Sequence, residues 1–139
     1  MKIVICGSMK FSFEMLTLKS QLNALGFNQV IVPHNTEKYA SHEWGQESRA
    51  ESTENKINHD LIRAYYQEIF EADAVLVANY DKNGVNNYVG GNSFLEAAFA
   101  HVLRKDLYFL HEVPDMSYSD EMRALQPIVL DGDLQKIKR

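Results

Sequence analysis

Five short runs of apolar and β-branched residues limit what this chain can become: Lys2–Cys6, Gln29–Val32, Ala74–Ala78, Leu107–Leu110 and Pro127–Leu130. The first and third lack the polar–apolar alternation of a half-exposed sheet, so they read as strands buried on both faces of a parallel sheet. The leading Pro127 makes the last an edge strand.

Helical patterns separate the strands. Phe11, Met15, Leu18, Leu22 and Leu25 recur at helical spacing, with Gly26 placed as the C-cap. From Asn58 a second helix carries Leu61, Ile62, Tyr65, Tyr66, Ile69 and Phe70 on one broad face. Tyr118 to Gln126 predicts a short helix capped by Ser119, and Asp131-Gly132-Asp133 opens a helical tail. His34 to Asn55 is polar and shows no convincing period. It reads as a long excursion that includes a helical turn, either a binding loop or a tolerated insertion. Strand–helix alternation predicts an α/β chain with a doubly wound, five-stranded parallel sheet in one domain, residues 1–139. Right-handed crossovers and a chain reversal beside strand one favour the order 2-1-3-4-5, which puts the binding crevice at the carboxyl ends of the strands where the order switches.

The segment Asn79–Lys105 runs from strand through a glycine-bearing loop, Gly90-Gly91-Asn92-Ser93, into a helix apolar on nearly every side, a pattern that predicts burial. Glu96 is the polar exception near its start. Ser93-Phe94-Leu95-Glu96 fits a capping box, in which serine and glutamate satisfy first-turn amides. The functional alternative has the glycines let backbone approach an anionic ligand, with Glu96 facing it one turn in.

Length and composition bound the rest. At 139 residues and 45% hydrophobic content, the chain suits a single core. A net charge of −5 without a basic cluster gives no footprint for nucleic acid or anionic lipid. No apolar run approaches the roughly 20 residues that span a bilayer. Cys6 is the only cysteine and lies in the first apolar run, where it reads as a small hydrophobe. With a start that moves directly into a strand, this predicts a cytoplasmic protein.

The predicted topology gathers Gly7-Ser8-Met9-Lys10, Asp60, and the Gly90–Ser93 turn with Glu96. Two carboxylates around a sugar divide the labour of glycosidic cleavage, one attacking the anomeric carbon and the other handling protons, about 5 Å apart in a retaining site. Asp60 is equally an acidic first-turn residue favoured by the helix dipole. Neither glycine stretch matches a dinucleotide or P-loop motif, and the histidines His34, His42, His59, His101 and His111 show no metal-ligand spacing, so no metal and no cofactor is expected.

Cys6-Gly7-Ser8-Met9-Lys10, Glu71–Val77, and the glycine loop followed by Phe94-Leu95-Glu96-Ala97-Ala98-Phe99-Ala100 resemble the nucleoside 2-deoxyribosyltransferase superfamily, which includes deoxynucleoside 5′-monophosphate N-glycosidases. The resemblance implies a flavodoxin-like (Rossmann-like) domain that cleaves the N-glycosidic bond of a nucleoside or nucleotide. It assigns Glu96 as nucleophile and Asp60 as the assisting acid. Gly7, Ser8, Lys10, Gly90, Gly91, Asn92 and Ser93 then bind substrate, with Ser8, Lys10, Gly91 and Ser93 near a 5′-phosphate or 5′-hydroxyl. It also implies a homo-oligomer whose pocket a neighbour completes. Two alternatives stand beside it: a non-catalytic nucleotide sensor with the same fold, and a scaffold whose Glu96 only caps its helix.

Overall fold

In the computed structural model, residues 1–41, 57 and 60–139 are described. The sheet strands are β1 (Lys2–Cys6), β2 (Gln29–Ile31), β3 (Ala74–Val77), β4 (Asp106–Phe109) and β5 (Ile128–Val129). All pair in parallel, in the order 2-1-3-4-5. Helices α1 (Ser12–Ala24), α2 (Thr36–Ala40), α3 (Leu61–Phe70), α4 (Gly91–Val102) and α5 (Ser119–Ala124) complete a doubly wound α/β fold of flavodoxin type.

Residues of β1 alternate between two cores while both faces stay closed. Ile3 and Ile5 pack with Met15, Leu18 and Leu22 of α1 and with Leu130, Leu134 and Ile137 of the tail. Val4 and Cys6 face Ile69 of α3, Ala97 and Ala100 of α4, and Met122 of α5. With water excluded from both sides, polar alternation along the strands would have cost stability. The chain moves one way from β1 to β2 and the other way to β3, so the switch in strand order falls between β1 and β3.

Helix ends follow local chemistry. Gly26 at φ 98° takes the left-handed position after α1, and Gly26 N–H donates to the Asn23 carbonyl while Phe27 N–H donates to Leu22, closing a Schellman turn. Arg104 occupies the same left-handed position after α4, its N–H donating to His101 and that of Lys105 to Ala100. Asp133 caps the final 3₁₀ turn, Leu134–Lys136, by accepting from Gln135 N–H at 3.0 Å.

Three sequence expectations change. Helix α4 begins at Gly91 with Gly90 as its N-cap, so Ser93 is its third residue and the capping box does not form. Nor is α4 enclosed: Leu95 is 45% and Val102 76% exposed, because only the Ala97–Ala100 side meets the sheet. Ser119 is the first residue of α5 rather than its cap, and its hydroxyl instead ties the preceding turn, accepting from Met116 N–H and donating to the Pro114 carbonyl. Helix α2 is the helical turn expected in the excursion after His34, while residues 42–56, and the Asn58 start of the second predicted helix, lie outside the described residues.

Candidate functional site

Glu96 sits in the second turn of α4, half buried. Its charge is felt at the end of β1: burial pushes the Cys6 thiol well up and Glu96 adds to the effect, and the Tyr65 hydroxyl is raised the same way. Tyr65 reaches from α3 to donate to the Ile5 carbonyl, fixing α3 over β1. Glu96 borders an open cleft between α3 and α4. Leu61, Ile62, Asn92, Leu95 and Phe99 line this cleft with it.

Asp60 precedes α3 in a left-handed conformation, φ 47°. Its carboxylate accepts from Arg63 at 3.1 Å and is more than half exposed. The next two residues, Leu61 and Ile62, line the cleft, whereas Asp60 does not.

The loop after β1 combines packing with polarity. A Cβ on Gly7 would lie 2.9 Å from Met15 Sδ and 3.2 Å from the Ala78 carbonyl, so any larger residue there forces α1 or the end of β3 to give way. Ser8 caps a 3₁₀ turn, Met9–Phe11, its Oγ accepting from Lys10 N–H at 3.3 Å. The same Oγ accepts from Lys82 Nζ at 2.8 Å. Lys82 arrives from the loop after β3 and lies over the Tyr88 ring, 5.2 Å from its centroid. Burial lowers the Lys82 pKa, and the Lys10 charge lowers it further.

The Asn-rich loop holding Lys82 is well tied down. Buried Asn79 donates to the carbonyls of His111 and Glu112 and accepts from His111 N–H, locking the ends of β3 and β4 together. Lys82 and Val85 exchange backbone hydrogen bonds of 3.0 and 2.9 Å, and Asp81 accepts from Asn87 N–H. Asn83 and Asn87 take left-handed conformations that asparagine tolerates better than most residues. Tyr88 then abuts the glycine turn: a Cβ on Gly90 would be 3.3 Å from its ring.

Ser8, Lys10, Lys82, Tyr88 and Gly90 therefore form one arc across the ends of β1 and β3. No known protein family, characterised protein or solved structure matches this chain. Its chemistry rests on its own groups. Asn92 and Glu96 share the cleft, Gly91 has open space where a Cβ would project, and Ser93 is buried. Phe94 packs away from the cleft, stacked on Tyr118 with ring centroids 5.0 Å apart. Among the described residues, no group of three or more His, Cys, Asp or Glu side chains is placed to hold a metal ion, and no helix is long and apolar enough to cross a membrane.

Sequence reasoning missed Lys82, and it read Tyr65 and Tyr88 only as core or contact aromatics. Lys82 left one available signal, being the sole cation between Asn79 and Ser93.

Proposed function

We propose that this chain cleaves the N-glycosidic bond of a nucleoside or nucleoside 5′-monophosphate through a covalent glycosyl–Glu96 intermediate, as a member of the nucleoside 2-deoxyribosyltransferase superfamily. The observation that carries this reading is the half-buried Glu96 carboxylate lining an open cleft between α3 and α4, beside a doubly wound parallel sheet. A Glu96 oxygen attacks C1′ as the bond to the base breaks, and the base leaves with the bonding electrons and takes up a proton. Water or a second base then attacks C1′ and frees the carboxylate, giving hydrolysis or transfer of the 2-deoxyribosyl group. Asn92, one turn before Glu96, is placed to orient a sugar hydroxyl. Asp60, which directly precedes the cleft residue Leu61, assists the departing base.

The partly apolar lining contributed by Leu61, Leu95 and Phe99 suits the face of a sugar or base and strengthens charge interactions at the carboxylate. Ile62 and Leu95 both line the cleft and remain exposed, beside Tyr66, Phe70 and Val102 on the same two helices. A second copy laid over this stripe would complete the cleft, so the working form is a homo-oligomer. The free thiol of Cys6 suits the reducing cytoplasm.

One observation favours a second reading, a nucleotide sensor without turnover: the Asp60 carboxylate is engaged by Arg63 outside the cleft lining. Release of free base from a panel of nucleosides and monophosphates, followed by chromatography, separates the two. Glu96→Gln is expected to abolish release while circular dichroism stays native. Undiminished release by that variant would remove Glu96 as nucleophile, and thermal stabilisation by nucleotides without any release would favour the sensor.

A further inference from the structure

We infer that Tyr118 is a positioning residue for the cleft: from the segment after β4 it clamps the turn at Val89–Gly91 and so sets where α4 presents Asn92 and Glu96. Its effect on turnover rests on the proposed glycosidase reading, whereas the clamp stands on contacts of its own.

Two successive glycines, Gly90 and Gly91, join the loop after β3 to α4, and without side chains neither limits its own backbone. Glu96 lies in the second turn beyond them, so any swing at this joint is carried to its carboxylate. The loop side is held at Tyr88, whose N–H donates to the Tyr80 carbonyl at 2.8 Å. The next carbonyl, that of buried Val89, accepts from the Tyr118 hydroxyl. Among the described residues no backbone N–H donates to it, so the phenol satisfies a buried acceptor as well as tying the joint.

On the helix side, the Tyr118 ring stacks on Phe94, with centroids 5.0 Å apart and planes inclined by 22°. Phe94 stands midway between Asn92 and Glu96 in sequence, and two residues turn an α-helix by about 200°. Both cleft residues therefore face one way and Phe94 the other. One side chain thus grips the joint by its hydroxyl and the back of the first turn by its ring, fixing where α4 starts and how it is rotated about its axis.

Tyr118 is itself anchored. Ser119 Oγ accepts from Met116 N–H at 2.6 Å and donates to the Pro114 carbonyl at 2.6 Å, and the Tyr118 carbonyl accepts from Met122 N–H at 3.1 Å. Val113, Met116 and Tyr118 pack against the same core as Val89 and Ala97. Burial raises the phenol pKa above its ordinary value, with Tyr88 adding to the effect, so the proton stays available to Val89 at neutral pH.

Tyr118→Phe keeps the stacked ring and removes only the hydroxyl. Amide hydrogen exchange read by mass spectrometry on the full chain, together with base release from the panel of nucleosides and monophosphates, tests the inference. Exchange in the peptide covering Val89–Glu96 should quicken about five- to tenfold, the usual weight of one neutral hydrogen bond, while peptides from β1, β3 and the second half of α4 keep their rates. The kcat should fall about tenfold with KM within about twofold of the intact chain, because the carboxylate is misplaced at the reacting carbon while the α3 wall of the cleft remains. Unchanged exchange at the turn would overturn the clamp, as would a uniform rise across the chain, which a merely stabilising contact gives. Quickened exchange at the turn with unaltered kcat, or with a rise in KM alone, would overturn the positioning of Glu96. Quickened exchange at the turn with no base release even from the intact chain would leave the clamp standing and remove the glycosidase.

Discussion

Cys6 and Tyr65 register Glu96 from a distance, and both respond in the same direction. Burial raises each group and the carboxylate raises it further, while Tyr80 is pushed up to about 12 by burial and then by Glu14. In the unfolded chain a thiol and a phenol ionise near 9.0 and 10.0. The unfolded chain therefore loses these protons first, and above pH 9 it binds fewer protons than the folded one. Stability is fully present below that pH and falls as pH rises toward the folded values, by up to about 1.4 kcal/mol per pH unit for each group. Lys82 acts with the opposite sign, since its folded value is depressed. Urea midpoints across the alkaline range should show the fall, with Cys6→Ala flattening its first part, and a level profile in the intact chain would contradict the burial assigned to these groups. Glu96 was legible as an anomaly in an apolar helix, and of the two readings weighed for it the capping box does not form. Gly90 and Gly91 have no side chains to mark where the helix starts, and Ser93 imitates an N-cap that lies three residues earlier, at Gly90. Lys82 was not legible, because the Ser8 hydroxyl that gives it meaning is 74 residues away.

Among the elements, the two glycine-bearing loops look alike in sequence and differ in physics. At Gly7 a methyl group would collide with Met15 and the Ala78 carbonyl, whereas at Gly91 it would project into open space. Gly7→Ala should therefore cost about 1–3 kcal/mol by overpacking. Gly91→Ala should leave stability within about 0.5 kcal/mol of the parent, as befits an unencumbered position, and weaken substrate binding by obstructing the approach to the backbone. Chemical denaturation with substrate calorimetry on both variants checks the contrast. A destabilised Gly91→Ala with intact binding would mean the turn serves packing alone. Strands β1 and β3 were legible to within a residue because burial on both faces leaves an unbroken apolar run. The Asn-rich loop after β3 was legible only as a loop, since its left-handed asparagines and its exchange of backbone bonds depend on the whole turn closing.

For the whole molecule, the strand order follows from a few rules: parallel pairing, right-handed crossovers and one reversal beside β1. That order brings loops far apart in the chain to one crevice, and this much could be anticipated. The outward face of α3 and α4 could not, because a helix apolar on nearly all sides reads as enclosed while Val102 is in fact 76% exposed. In the proposed homo-oligomer this face is covered, so light scattering should report a mass above one chain, and Val102→Glu with Tyr66→Glu should reduce it to one chain and lower turnover together. A monomeric parent with full activity would contradict that assembly. The central claim is that one carboxylate bonds to a sugar carbon. Its most direct measurement is mass spectrometry of the protein quenched with acid during turnover of a deoxynucleoside monophosphate. The account predicts a deoxyribosyl phosphate adduct on the peptide containing Glu96, absent from Glu96→Gln; an adduct on another residue, or base release that persists in Glu96→Gln without one, would contradict it.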